Sequence, residues 1–188
     1  MKIVLRLAFV LLVVVPLLAW FLVKPVRVIA PQAFGMLCSD GVVCVESADQ
    51  SQQAVALYSE ALQFVRAHVG PLQGKPVVVF CTTQSCADHY GLGDRSAVTV
   101  GTIGTVIGPK AWKNYYVRHE LIHQLKGQQF GVLRRLALPG WFVEGMAYGL
   151  SGDPRPTLAE PWQAYRAQFN AWLARVGREN IWTAERDL

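Results

Sequence analysis

Arg118-His119-Glu120-Leu121-Ile122-His123-Gln124 is the most informative stretch of the 188-residue chain. Read as a helix, it places His119 and His123 one above the other on a single face, because residues four apart share a face. Two neutral imidazoles at that spacing can chelate one Zn²⁺ at ~2.0–2.1 Å each. Glu120 falls on the adjoining part of the helix surface. There it can reach a metal-bound water without ligating the metal, as a general base must. Trp112, Tyr115, Tyr116, Leu121, Ile122 and Leu125 supply apolar cover for a buried helix, and Gly127 suits its C-terminal stop. A packed helix with two satisfied histidines is the plainer alternative.

Downstream, Pro139-Gly140-Trp141-Phe142-Val143-Glu144-Gly145-Met146-Ala147-Tyr148-Gly149 reads as a helix start with an apolar body and one embedded acid, Glu144. A buried carboxylate is costly unless it is paired or bound to a metal. Upstream, Lys75-Pro76-Val77-Val78-Val79-Phe80-Cys81 reads as a strand buried on both faces. Ser96 to Gly108 is strand material with glycines, a hairpin or two adjacent strands; a sheet edge beside the metal helix could align an extended peptide, and an ordinary glycine-rich edge strand is the alternative. The segment from Cys86 to Arg95 is a loop or short helix carrying His89 and Tyr90. A helix capped by Asp49 or Ser51 runs to about Val69, with Ala54, Leu57, Tyr58, Ala61, Leu62, Val65 and Val69 at helical spacing. From Pro161 to Gly177, the stripe Trp162, Tyr165, Phe169, Trp172, Leu173 and Val176 marks an amphipathic core helix.

Hydrophobic residues make up 52% of the chain, and the excess is concentrated at the start. Leu7 to Val23 is seventeen residues without a charge, flanked by Lys2 and Arg6 before and by Lys24-Pro25 after. This favours an uncleaved signal anchor, residues 1–23, over a cleaved signal peptide. A linker over 24–37 and a catalytic domain over 38–188 follow. The charge bias predicts a cytoplasmic N-terminus, with the domain on the periplasmic or extracellular side. Four cysteines in two close pairs, Cys38 with Cys44 and Cys81 with Cys86, read as two local disulfides of an oxidising compartment. A metal knuckle or four reduced thiols are the alternatives. The net charge of +5 is scattered, without a dense basic run, and no nucleic-acid motif is present. It suffices for mild attraction to an anionic membrane surface.

Taken together, His119-Glu120-Leu121-Ile122-His123, twenty intervening residues, and Glu144 within Trp141-Phe142-Val143-Glu144-Gly145-Met146-Ala147 resemble the gluzincin metallopeptidases. These include the thermolysin-like enzymes, the zinc aminopeptidases with their W-x-x-E-G-x-A segment, and the compact minigluzincins. The resemblance implies an α+β zincin-like domain, with a small mixed β-sheet packed on the active-site helix and further helices, here preceded by one N-terminal transmembrane helix. It implies Zn²⁺ on His119, His123 and Glu144, Glu120 as general base, and peptide or protein substrates. It also implies a Tyr or His as oxyanion donor, for which Tyr148, Tyr165, His89 and Tyr90 are candidates. Two departures stand out. The Asp that orients the first histidine in thermolysin-like enzymes is replaced by Tyr148, leaving Asn114, Asp153 or a backbone carbonyl for that role. The aminopeptidase G-x-M-E-N motif is absent, which favours an endopeptidase. The expectation is a membrane-anchored zinc peptidase. The alternatives are a non-catalytic zinc-stabilised binding module and a metal-free domain in which Glu144 pairs with Arg118 or another base.

Overall fold

The computed structural model describes residues 2–15, 23–184 and 188. A five-stranded mixed sheet forms the centre. Its strands are β1 (Leu37–Ser39), β2 (Val43–Val45), β3 (Val77–Phe80), β4 (Ala97–Val100) and β5 (Gly104–Ile107), in the order β1-β2-β3-β5-β4. The β2–β3 and β3–β5 pairs are parallel, while β1–β2 and β4–β5 are antiparallel hairpins. β4 is therefore an edge. The period-2 alternation of strands sorts the side chains. Val43, Val45, Val78, Phe80 and Ile107 join the large core beneath one face, and Cys44, Val79, Cys81 and Val106 join a smaller core on the other. Both faces are covered, as the continuous apolar run in β3 predicts.

The large core is closed by helices. α1 is Lys2–Phe9 and stands apart from this core. α2 (Ser51–His68) buries Ala54, Leu57, Tyr58, Ala61, Leu62 and Val65, the stripe expected from spacing. α3 (Gln84–His89) sits by the small core. α4 (Asn114–Phe130) carries the H-E-x-x-H run and is buried continuously from His119 to Gly127. The short α5 (Val132–Ala137) leads into α6 (Gly140–Leu150) and α7 (Trp162–Val176), and α8 (Ile181–Ala184) follows. α6 and α7 join through aromatic rings, with Phe142 and Trp172 centroids 5.2 Å apart and edge-on.

Glycines set how closely the helices approach. Gly127 does not end α4, which runs on to Phe130 and stops at Gly131 with φ 77°. A Cβ at Gly127 would lie 2.8 Å from Thr102 Cγ2 and 3.2 Å from the Gly101 carbonyl. Gly127 therefore lets the β4–β5 turn rest on the helix. On α6, a Cβ at Gly145 would meet the Tyr165 carbonyl at 2.2 Å, whereas one at Gly149 would meet the Asn170 side-chain Oδ1 at 2.7 Å. Backbone cannot yield as a side chain can. Gly145→Ala is expected to destabilise by at least ~1–3 kcal/mol, more than Gly149→Ala does. Urea unfolding of the two variants checks the ranking.

The N-terminal expectation is corrected. Within the apolar run, Lys2–Phe9 is α-helical and Val10–Val14 continues as a π-helical turn. The described part of this run reaches about 20 Å at ~1.5 Å per residue, against the ~30 Å of a hydrocarbon core. Among the described residues no helix is long and apolar enough to cross a membrane. That overturns the transmembrane helix and the single-pass membrane localisation. Residues 16–22 of the expected anchor lie outside the described residues. The stretch read as a linker is not a free tether. It forms 3₁₀ turns at Lys24–Ile29 and Pro31–Phe34, and buries Val28 and Met36 in the small core.

Both disulfides are present. Cys38–Cys44 joins directly opposed residues of β1 and β2, and Cys81–Cys86 ties the end of β3 to α3. Closed pairs of this kind fit an oxidising compartment.

Candidate metal centre

α4 and α6 bring the two sequence motifs together. His119 and His123 project from successive turns of α4, with Nε2 atoms 3.1 Å apart. Glu144, on α6, places Oε2 3.6 Å from His119 Nε2 and 3.5 Å from His123 Nε2. All three donor atoms lie within 4.8 Å of one another, a group that could hold a metal ion. Tetrahedral ligand atoms ~2.0–2.1 Å from a shared Zn²⁺ are about 3.3–3.4 Å from each other, so the triangle has the required size. Its chemistry fits as well. Burial, reinforced by the Lys126 charge and opposed by Glu144, holds the His123 pKa down to about 3, which leaves its lone pair free at neutral pH. Burial alone would raise the Glu144 pKa, but hydrogen bonds to His119 and His123 and the Lys126 charge outweigh it and keep the carboxylate ionised.

Glu120 points into the same cleft and is only 6% exposed. The Thr99 hydroxyl on β4 donates to its Oε2 at 2.7 Å. Behind Thr99 lies the Thr105 hydroxyl at 3.0 Å, and Gln124 Nε2 donates to Thr105 at 3.4 Å. A buried polar chain thus runs from the helix through two strands to Glu120 and fixes its rotamer. Burial raises the Glu120 pKa, against the opposing effects of His119 and the Thr99 bond. A carboxylate moved toward neutrality is a stronger base.

Lys126 is fully buried, and its Nζ donates to the Val143 carbonyl, one residue before Glu144. This bond fastens α6 to α4 where the third candidate ligand leaves the backbone. Burial depresses the Lys126 pKa to about 7, with Glu144 opposing. Neither Thr99 nor Lys126 was singled out from sequence. A lysine three residues after His123 and directly after Leu125 was the available signal for the second.

Tyr148 stands over His119 with ring centroids 4.4 Å apart and lines the cleft. Burial and then the Glu144 charge push its pKa up to about 12, so its hydroxyl remains a donor. The other oxyanion candidates are elsewhere. His89 and Tyr90 pack with Phe34 by the small core, and Tyr165 packs against Gly140 and Trp162 outside the cleft lining. Asp153 does not orient an imidazole. It holds Arg155, whose Nε donates to it at 2.9 Å, and Arg155 Nη1 donates to the Tyr116 hydroxyl at 3.2 Å. Asn114 opens α4, more than a turn before His119. Arg118 does not pair with Glu144. It is bound to Glu60 on α2 through Nε at 3.1 Å and through Nη2. The cleft has a volume of about 720 Å³ and runs along Ala97, Val98 and Thr99 of the β4 edge.

Acid should loosen the metal-free Glu120→Gln protein; Glu120 itself, with its folded pKa raised, acts in the opposite sense in the wild type. His123 has a folded pKa of about 3 against ~6.5 unfolded. The unfolded chain therefore binds more protons between those values, and stability falls as pH drops through that window. Lys126 acts in the same sense between ~10.5 and about 7. Each contributes up to ~1.4 kcal/mol per pH unit inside its window. Urea midpoints of the chelator-treated Glu120→Gln protein, followed from pH 9 to pH 4, check the sign.

No protein family, curated protein or solved structure matches this chain.

Proposed function

We propose that the chain is a zinc-dependent metallopeptidase of the gluzincin type, acting as an endopeptidase on extended peptide or protein segments. The observation that carries this reading is the convergence of His119, His123 and Glu144, at 3.1–3.6 Å from one another, beside the buried carboxylate Glu120. Zn²⁺ held by these three residues would polarise the scissile carbonyl and lower the pKa of a water toward ~7. Glu120, held by Thr99, accepts the proton of the attacking water and returns it to the leaving amine. Tyr148 offers a protonated hydroxyl beside His119 for the developing oxyanion. The outer edge of β4 offers backbone donors and acceptors to an extended substrate. A purely structural metal site has no use for a base in the position of Glu120.

Metal analysis of the purified chain, with cleavage of a broad peptide library, tests the proposal. About one zinc per chain with chelator-sensitive hydrolysis supports it. Zinc without hydrolysis leaves the zinc-stabilised binding module, and no metal at all leaves neither.

A further inference from the structure

A second cavity, of about 570 Å³, lies between α2 and the β1–β2 hairpin. It is at the opposite end of the sheet from the β4 edge and shares no lining residue with the metal cleft. Val43 and Leu62 form apolar wall, 3% and 8% exposed. Tyr58 is also in the lining and only 4% exposed, yet among the described residues its buried hydroxyl has no hydrogen-bond partner. An unmatched buried O–H is costly, and a ligand acceptor would satisfy it. Burial pushes its pKa up to about 12, while the nearby Arg66 charge opposes this, so the group is a donor. Arg66 is pinned to the chain. Its Nε donates to the Leu72 carbonyl at 3.0 Å and its Nη2 to the Gly74 carbonyl. Those bonds use two of its five N–H donors. Lys75 adds a second cation to the lining, against the single carboxylate Asp40.

We propose that this cavity binds a small aliphatic carboxylate, its head group on Arg66, Lys75 and the Tyr58 hydroxyl and its tail along Val43 and Leu62. A planar guanidinium matches a carboxylate geometrically, and the second cation adds attraction. The cavity falls in the ~300–1,000 Å³ range of small-molecule sites. A bare inorganic anion leaves the apolar wall uncovered, and an amine meets two like charges. The site is independent of the metal centre and of any catalytic role.

The test titrates the full chain with octanoate, octanol and octylamine, following backbone amide shifts. Octanoate is expected to saturate shifts at residues 43, 58 and 62, and to bind at least about tenfold more tightly than octanol or octylamine. Lys75→Gln and Tyr58→Phe, which keep the fold because one side chain is exposed and the other loses a single atom, are each expected to weaken octanoate about three- to tenfold. The double variant His119→Ala/His123→Ala is expected to bind it unchanged. Overturning results are the absence of saturable shifts at these residues, equal affinity for octanol, or binding lost in the histidine variant and intact in Lys75→Gln. The last would put the carboxylate on the metal centre.

Discussion

On the proposed function, Glu120→Gln is expected to lower peptide turnover by at least ~10²–10⁴-fold while metal content stays unchanged. The side chains are nearly the same size, and glutamine retains an oxygen that can accept the Thr99 hydroxyl at the position now bonded at 2.7 Å. What it lacks is a basic lone pair. Glu120 is not in the triangle of donor atoms, so metal content should match wild type. The loss should appear in kcat with little change in KM, because a proton acceptor acts in the transition state rather than in ground-state binding. Thr99→Val is expected to produce a smaller loss with the same signature, since it frees the Glu120 rotamer without removing the base. A Glu120→Gln protein that keeps activity within about threefold of wild type would defeat the general-base assignment.

Glu144→Ala is expected to weaken zinc by more than the ~10–100-fold lost on deleting an outer-shell partner, because it removes one of the three proposed ligands. The side chain is 29% exposed, so its loss leaves no sealed cavity in the core. The α4–α6 tie also survives, because Lys126 bonds the Val143 backbone rather than the Glu144 side chain. The fold should therefore persist as the metal leaves. Arg118→Gln is the control. Had Glu144 been paired with Arg118, both changes would disturb the site, but Arg118 is engaged with Glu60. Its replacement should leave zinc affinity within about twofold of wild type, with any cost appearing as stability. Competition with a chromogenic chelator measures both. Equal zinc affinity in Glu144→Ala and wild type would remove Glu144 from the ligand set.

Local periodicity made the helices and the central strand readable. The apolar stripe of α2, the doubly buried β3 and the register of His119 with His123 all depend on residues a few positions apart, and the structure carries each of them. Gly127 was misread because a glycine near the end of an apolar run looks like a helix stop. Here the β4–β5 turn requires the missing Cβ, a constraint set about 25 residues away. The N-terminal run was read as a membrane span on hydropathy alone, whereas among the described residues no helix is long and apolar enough to cross a membrane.

By itself, then, the sequence determined the composition of the candidate site: two imidazoles and a neighbouring carboxylate on one helix, an acid embedded in a second helix, and cysteines close enough to bridge locally. Only the tertiary structure decided which of the remaining polar groups belong to it. It turned Glu144 toward both imidazoles, set Thr99 against Glu120 and Lys126 against the backbone of α6, and left His89 and Tyr90 by the other core. The physical reason is that helical spacing is set by hydrogen bonds four residues long. Which side chains meet across a cleft is set by how sheet and helices bury their apolar faces, and that depends on the whole chain at once.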